Sequence, residues 1–355
     1  MWHALSLGMA LCVVTPALRE AQTRPRHVSL ATWNLLAPVF APPEKYPWAR
    51  QDLRWPLRQD RIVARLASID ADVLCLQEVE VGMWDGLLER LRALGYDGVL
   101  QEMSRGHPIA NAVLVRRGML EIVRTESRSR ALIAVVRACD SPGSVRPSPP
   151  LYVTSVHLEA GNDKHGQRLF QLRSLLRRIE LQHAIDVASA QGRQKTLSAG
   201  AGLDGAAVVL AGDFNFDRAS DLHCMLAKAT MPSDVKAKGK VSTQLLPLRD
   251  AYLESPTPWG PPLRSSYRNG RLLDFVWTSS AVHLLRTMPV DDLAGSMQPR
   301  NVPSSAHPSD HLPIGALLTW AGAPGATSCR PSWQHLCVQN VQQQQPPEQQ
   351  ETTRR

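Results

Sequence analysis

Residues 206–215 read Ala-Ala-Val-Val-Leu-Ala-Gly-Asp-Phe-Asn. The first six are apolar, the composition expected of a strand buried on both faces. The chain then passes abruptly from hydrocarbon to Asp213 and Asn215. The same switch recurs at Trp33-Asn34, Leu76-Gln77-Glu78, Val156-His157 and Leu272-Leu273-Asp274. A sixth polar cluster, Pro308-Ser309-Asp310-His311, stands immediately before another apolar strand. Buried strands ending on carboxylates, amides and imidazoles predict an α/β fold in which one edge of packed sheet gathers residues from distant parts of the chain.

Around that stretch the periodicities alternate between strand and helix. Residues 27–33 predict the first ordered strand, and Ile62, Val63, Leu66 and Ile69 recur at helical spacing. A buried strand is expected over 72–77. A helical stripe of Trp84, Leu87, Leu88, Leu91 and Leu94 is closed by Gly95. Short strands are expected near 112–116, 120–124, 131–136 and 151–157, and later over 272–278, 281–287 and 313–320. Leu169, Leu172, Leu176 and Ile179 mark a long helix, with Arg168, Arg173, Arg177 and Arg178 read as its solvated face. A shorter helix is expected over 220–229. The ordered unit is read as residues 26–320. Residues 1–25 are a candidate cleaved signal or transit peptide or an unstructured N-terminus. Residues 321–355, with the tract QQQQPPEQQ, predict a disordered tail.

Of 355 residues 43% are hydrophobic and 20% charged, which excludes global disorder. Lys and Arg number 40 against 32 Asp and Glu, a net charge of +8 that favours an anionic partner. The six cysteines, Cys12, Cys75, Cys139, Cys224, Cys329 and Cys337, form no CxxC pair. That excludes a zinc ribbon and argues against a disulfide scaffold. No stretch has the apolar length of a membrane span. The compartment stays open, with cytoplasm or nucleus favoured.

The polar residues at the strand ends are chemically coherent. Glu78 and Asp310 supply hard oxygen donors that suit Mg²⁺ or Mn²⁺. Asn34 and Asn215 can bond phosphate, water or metal without adding charge. Asp213 can orient or deprotonate an attacking water. His157 and His311 can donate to phosphoryl oxygens, and Asp274 can fix the tautomer of one of them. Together they predict metal-assisted in-line hydrolysis of a phosphate ester.

The segments TWNLLAP (32–38), CLQEVE (75–80), ANAVLVRR (110–117), TSVHLEAG (154–161), LAGDFN (210–215), RLLDFVWTS (271–279) and HPSDHLPI (307–314) follow one another in this order. The chain thereby resembles the exonuclease–endonuclease–phosphatase superfamily of metal-dependent phosphoesterases, over about residues 32–314. The resemblance implies a four-layer, DNase I-like α/β sandwich of two packed mixed sheets flanked by helices. It implies Asn34, Glu78 and Asp310 as metal-site residues, and Asp213 with Asn215 positioning the water. It further implies that Asp274 orients His311 at the scissile phosphate and that His157 stabilises the transition state. WNLLAP and HPSDHLPI are most similar to the deadenylase branch, which contains the carbon-catabolite-repressor-4, nocturnin, angel and 2′-phosphodiesterase proteins. The implied activity is a Mg²⁺-dependent 3′ exoribonuclease with nucleic acid, RNA above all, as partner. No leucine-rich repeat precedes the catalytic motifs, so no docking platform of that type is expected. Phe216-Asp217 and RLLDFVW differ from the branch's usual Ser-x-Pro and G-x-x-D-Y-I, so poly(A) specificity is not implied.

A single acid at a strand end is ordinarily a solvated loop residue; the ordered set is what gives these residues meaning. Asn111, Trp48 and Arg268 are candidate substrate contacts. Asn111 has the alternative of capping a loop. The loop carrying Tyr46, Trp48, Arg50, Arg54, Trp55 and Arg58 suits either stacking on bases and holding phosphates or a proline-stiffened loop anchored to the core by its tryptophans. Arg264 and Arg271, close in sequence to Asp274, join Arg268 as candidates. Ser309 is read as holding its turn. A second reading keeps the site but changes the substrate to DNA ends, a phosphoinositide, sphingomyelin or a dinucleotide phosphate. A third is a catalytically silent module that binds RNA or protein.

Overall fold

The computed structural model describes residues 27–103, 106–139, 148–190, 205–229, 247–254, 270–289 and 302–323. The expected leader, the Gln-rich tail, Arg264, Arg268 and the cysteines at 12, 329 and 337 lie outside them. Cys75 and Cys224 are free thiols.

The elements are β1 (Val28–Asn34), α1 (Trp55–Ile69), β2 (Val73–Glu80), α2 (Trp84–Ala93), β3 (Tyr96–Leu100), β4 (Ile109–Arg116), β5 (Leu120–Arg128) and β6 (Ala131–Ala138). They continue with β7 (Leu151–His157), α3 (His165–Ala190), β8 (Ala207–Asp213), α4 (Asp221–Lys228), β9 (Arg249–Asp250), β10 (Asp274–Thr278), β11 (His283–Thr287) and β12 (Ile314–Thr319). Two six-stranded mixed sheets result, ordered β11-β12-β1-β2-β4-β3 and β5-β6-β7-β8-β10-β9. Each contains one parallel pair, β1 with β2 and β7 with β8. The chain crosses over through α1 in the first and α3 in the second, as parallel pairing requires.

Alternation within the strands builds the layers. Val73 and Cys75 face the second sheet and share a core with Val113, Leu132, Ala134, Val153, Val209 and Val276. Their neighbours Leu74 and Leu76 face outward onto Ile62, Leu66, Leu87 and Leu91 of α1 and α2. On the far side, Val208, Leu210 and Trp277 pack against Leu172, Leu176 and Ile179 of α3 and Leu222 and Met225 of α4. Helix–sheet–sheet–helix is thus the architecture expected from the sequence. Gly95, at φ +87°, closes α2 as anticipated. The strand β3 was not anticipated. Arg168 is buried rather than solvated, and its Nη1 donates to the carbonyls of Glu159 (2.9 Å) and Gly161 (2.7 Å).

The dry seam between the sheets turns polar at one end. There Gln77 Nε2 donates to Thr32 Oγ1 (3.0 Å) and, across the seam, to Ser155 Oγ (2.9 Å). Ser155 Oγ in turn donates to the carbonyl of Leu76 (3.0 Å). Buried polar groups need such partners, and these bonds fix the register of one sheet against the other. The functional side chains lie just beyond.

Candidate active site

Strand register lines up the acids of the second sheet. Asp213 ends β8 with His157 of β7 paired on one side and Asp274 of β10 on the other. The preceding residue must be glycine: at Gly212, φ +150°, a Cβ would sit 1.9 Å from the carbonyl oxygen of Val156. After Asp213 the chain turns through Asn215, held at φ +53°. The Asn215 backbone N–H donates to Asp213 Oδ1 (2.9 Å) and its Nδ2 to the carbonyl of Leu158 (3.0 Å). Asp213 Oδ2 is left to face the other sheet.

Facing it is Asn34 at the end of β1. Its Nδ2 donates to both Asp213 Oδ2 and Glu78 Oε1, each at 3.1 Å, while its Oδ1 accepts from the N–H of Leu36 (3.0 Å). Glu78 lies within an irregularity of the β2–β4 pairing between Leu76 and Val79, with φ +53°. A bulge that places a non-glycine residue in the left-handed region re-aims its side chain at a backbone cost of order 1–3 kcal/mol. The Ala37 N–H donates to Glu78 Oε2 (3.0 Å).

Two imidazoles complete the convergence. His157 Nε2 is 3.8 Å from both Glu78 Oε1 and Asp213 Oδ2. His311 Nε2 is 3.7 Å from Asp213 Oδ2, and its Nδ1 is 2.8 Å from Asp274 Oδ2. The turn bearing His311 is fastened to β1: Ser309 Oγ donates to the carbonyl of Asn34 (2.6 Å) and accepts from the His311 N–H (3.1 Å). Trp33 Nε1 donates to the carbonyl of His311 (2.8 Å).

Asp310 accepts a hydrogen bond on Oδ2 from the hydroxyl of Tyr46 (2.7 Å), and both residues are buried. Beneath them the wholly buried Arg58 donates through Nη1 to the carbonyls of Leu35 (2.8 Å) and Pro308 (3.2 Å), tying together the loops that follow Asn34 and precede Asp310. The loop is thus anchored, but through Tyr46 and Arg58 where the tryptophans were expected; of those only Trp55 packs against the core. Trp48, 50% exposed, packs edge-on to Tyr46 at the rim. The sequence marked the loop but not which of its members point inward; only the packing of Tyr46 under Asp310 reveals that.

Burial dominates the electrostatics of the site, and neighbouring charge comes second. Burial, then Asp310, raise Glu78 above the usual carboxylate range, and burial with Asp274 raises Asp213. Burial pushes His157 down. His311 is carried well above the ordinary imidazole value because Asp274 and Asp213 together outweigh its burial. Arg58 is pushed down to about 10 by burial, against the opposing pull of Asp310 and Glu78. Buried, crowded carboxylates are the donor chemistry a hard divalent cation would neutralise. The ligand atoms of Asp213, Asp274 and His311 all lie within 4.8 Å of one another, and Glu78 and Asp310 add carboxylates beside them.

Eight of the residues singled out from the sequence thus meet at one end of the seam: Asn34, Glu78, His157, Asp213, Asn215, Asp274, Asp310 and His311. Asn111 lies next to them, lining a recess with His157. Arg271 pairs with Asp217 (2.9 Å), and Arg268 lies outside the described residues.

Two stacked mixed sheets bring buried acids and imidazoles together at their shared edge, a donor set suited to a divalent cation and a phosphate. The chain belongs to the Endonuclease/Exonuclease/phosphatase family, whose model matches residues 31–311. It is 22% identical over 340 residues to the 2′,5′-phosphodiesterase 12 of Rattus norvegicus, covering 84% of this chain and 52% of that protein. The chain therefore spans about half the length of that relative. Over 81 residues it is 33% identical to the CCR4-Not complex 3′-5′-exoribonuclease subunit Ccr4 of Aspergillus oryzae, 22% of this chain and 11% of that one. Its fold is similar to that of ANGEL2, a 2′,3′-cyclic phosphatase solved with adenosine-2′,3′-vanadate. The TM-score is 0.61 at 18% identity, covering 82% of this chain and 95% of the other.

Proposed function

We propose that this enzyme is a Mg²⁺- or Mn²⁺-dependent phosphodiesterase that hydrolyses RNA from its 3′ end by in-line attack of water. The observation that carries the reading is the chain Asp274–His311–Asp213–Asn34–Glu78, which links both sheets through contacts of 2.8, 3.7, 3.1 and 3.1 Å. RNA is favoured because the relatives' names speak of 2′,5′-phosphodiesters, a 3′-5′-exoribonuclease and a 2′,3′-cyclic phosphate, all ribonucleotide chemistry. The motif order and the net charge of +8 agree with it.

Asn34, Glu78 and Asp310 would hold the cation, with Asn34 Nδ2 orienting Glu78 and the Tyr46 hydroxyl orienting Asp310. When bound, it would polarise the phosphate and offset charge on the leaving oxygen. Asp213 has one oxygen tied to the Asn215 N–H, and the other orients water and accepts its proton. Its raised proton affinity makes it a stronger base than an exposed carboxylate. As the oxygen–phosphorus bond forms and the bond to the leaving oxygen breaks, protonated His311 holds a phosphoryl oxygen and can supply the leaving group's proton. Asp274 fixes the orientation of His311 through Nδ1. His157, kept neutral by burial, donates to a second phosphoryl oxygen. Trp48 offers a base a stacking face at the rim.

The test incubates the purified protein and its Glu78→Ala variant with labelled poly(A), mixed-sequence RNA, single- and double-stranded DNA and NADPH, with Mg²⁺, Mn²⁺ or EDTA. A 3′-shortening RNA ladder that EDTA and Glu78→Ala both abolish is the expected result. Hydrolysis of NADPH or DNA in place of RNA would move the substrate assignment while leaving the site intact.

A further inference from the structure

The recess beside His157 is lined by Gln101, His107, Ile109, Asn111, Ser129 and Arg130. Asn111 lies on β4 and is 3% exposed. Its Nδ2 and its backbone N–H both donate to Gln101 Oε1, at 2.7 and 3.2 Å, and the Gln101 N–H returns a bond to the Asn111 carbonyl (2.8 Å). The Gln101 amide nitrogen is committed to the carbonyl of Arg128. This sequence of bonds fixes both amides: Gln101 presents oxygen to Asn111, so Asn111 presents nitrogen to Gln101. Asn111 Oδ1 is then buried with no hydrogen-bond partner among the described residues.

A buried acceptor without a partner carries its full desolvation cost until a donor arrives. An anionic phosphate oxygen cannot supply one, whereas a hydroxyl can. The recess is contiguous with the reacting centre, since His157 lines it and stands 3.8 Å from Asp213 Oδ2 and Glu78 Oε1. In an RNA chain the donor nearest a phosphorus is the ribose 2′-hydroxyl, on the carbon next to the one bearing the 3′ oxygen. Donors on the bases lie several bonds farther away. We infer that this recess is a ribose subsite, in which Asn111 Oδ1 accepts a hydrogen bond from the 2′-hydroxyl beside the scissile phosphate and so selects ribonucleotide over deoxyribonucleotide substrates. The inference rests on the phosphodiesterase reading above and names what decides its sugar specificity.

The experiment compares kcat/KM of the full chain, with Mg²⁺, on RNA oligonucleotides that differ only in the sugar at the scissile position: 2′-hydroxyl or 2′-fluoro. Fluorine keeps the size and pucker but donates nothing. A site built to pair a hydroxyl rejects the analogue lacking it, so wild type is expected to lose about tenfold or more on the fluoro substrate. In Asn111→Ala and Asn111→Ser, each checked by thermal melting, the ratio of the two substrates should fall toward one. A wild-type ratio near one overturns the inference. So does a ratio that is unchanged in whichever of the two variants folds, or a penalty that follows base identity rather than the sugar. Failure of wild type to cleave any oligonucleotide would instead overturn the phosphodiesterase reading on which the subsite depends.

Discussion

Nδ1 of His311 and Oδ2 of Asp274 lie 2.8 Å apart, both buried, although 37 residues separate them in the chain. Because Nδ1 is engaged with the carboxylate, Nε2 is the nitrogen that faces Asp213. Replacing Asp274 with Asn keeps the shape but lets the amide present either end to the ring. Turnover is expected to fall by about 10²–10⁴ with KM changed far less, the scale lost when an acid–base group is misoriented. Steady-state kinetics on the RNA substrate, alongside a near-wild-type circular dichroism spectrum, would check it.

Tyr46 supports Asp310 from beneath the site through a 2.7 Å hydrogen bond. Removing only that hydroxyl, in Tyr46→Phe, is expected to weaken Mg²⁺ or Mn²⁺ binding by about 10–100-fold, as loss of partners behind metal-site carboxylates commonly does. Calorimetric isotherms without substrate measure this directly, with Asp310→Asn as the reference for a lost carboxylate. Unchanged affinity in Tyr46→Phe would confine Tyr46 to packing.

Gly212 leaves no room for a side chain, its Cβ position being 1.9 Å from the Val156 carbonyl oxygen. Gly212→Ala must spread β7 from β8, the parallel pair that juxtaposes His157 and Asp213. We expect a loss of about 3 kcal/mol or more of stability, read from urea unfolding, with activity lost even in the fraction that folds.

Asp250 lies away from the reacting centre, accepting from Arg218 Nε at 2.8 Å, with His223 Nε2 at 3.2 Å. Burial pushes its carboxyl up, but the bonds to His223 and Arg218 more than compensate and hold it below the usual range. A depressed folded-state pKa contributes stability that is present above the unfolded value, near 4, and is lost as pH falls through the folded one. Asp250→Asn should therefore be less stable than wild type at neutral pH. The gap in unfolding free energy should narrow as pH falls below about 4. A gap that stays constant across that range would contradict the assignment.

Much of this was already written in the chain. Apolar runs ending in turn on Asn34, Glu78, His157, Asp213 and Asp274 pointed to the α/β class, and the resemblance carried by the motif order implied the four layers and the candidate site residues. The buried strands were legible because alternation there is dictated by two apolar faces at once. Arg168 was misread because charge in a helix stripe usually means solvent, and nothing local records two carbonyls waiting at Glu159 and Gly161. Tyr46, Arg58 and the Asn111–Gln101 pair could not be resolved for the same reason. Whether a phenol, guanidinium or amide turns inward depends on which unpaired atom another segment offers, as Asp310 does for Tyr46 across 264 residues. Composition and periodicity report how a residue relates to its neighbours in the chain, and so they mark buried strands, helical stripes and strand ends. Hydrogen-bond geometry between distant segments exists only once the sheets have stacked, and that stacking decided which polar groups face one another at the end of the seam and which support them from behind.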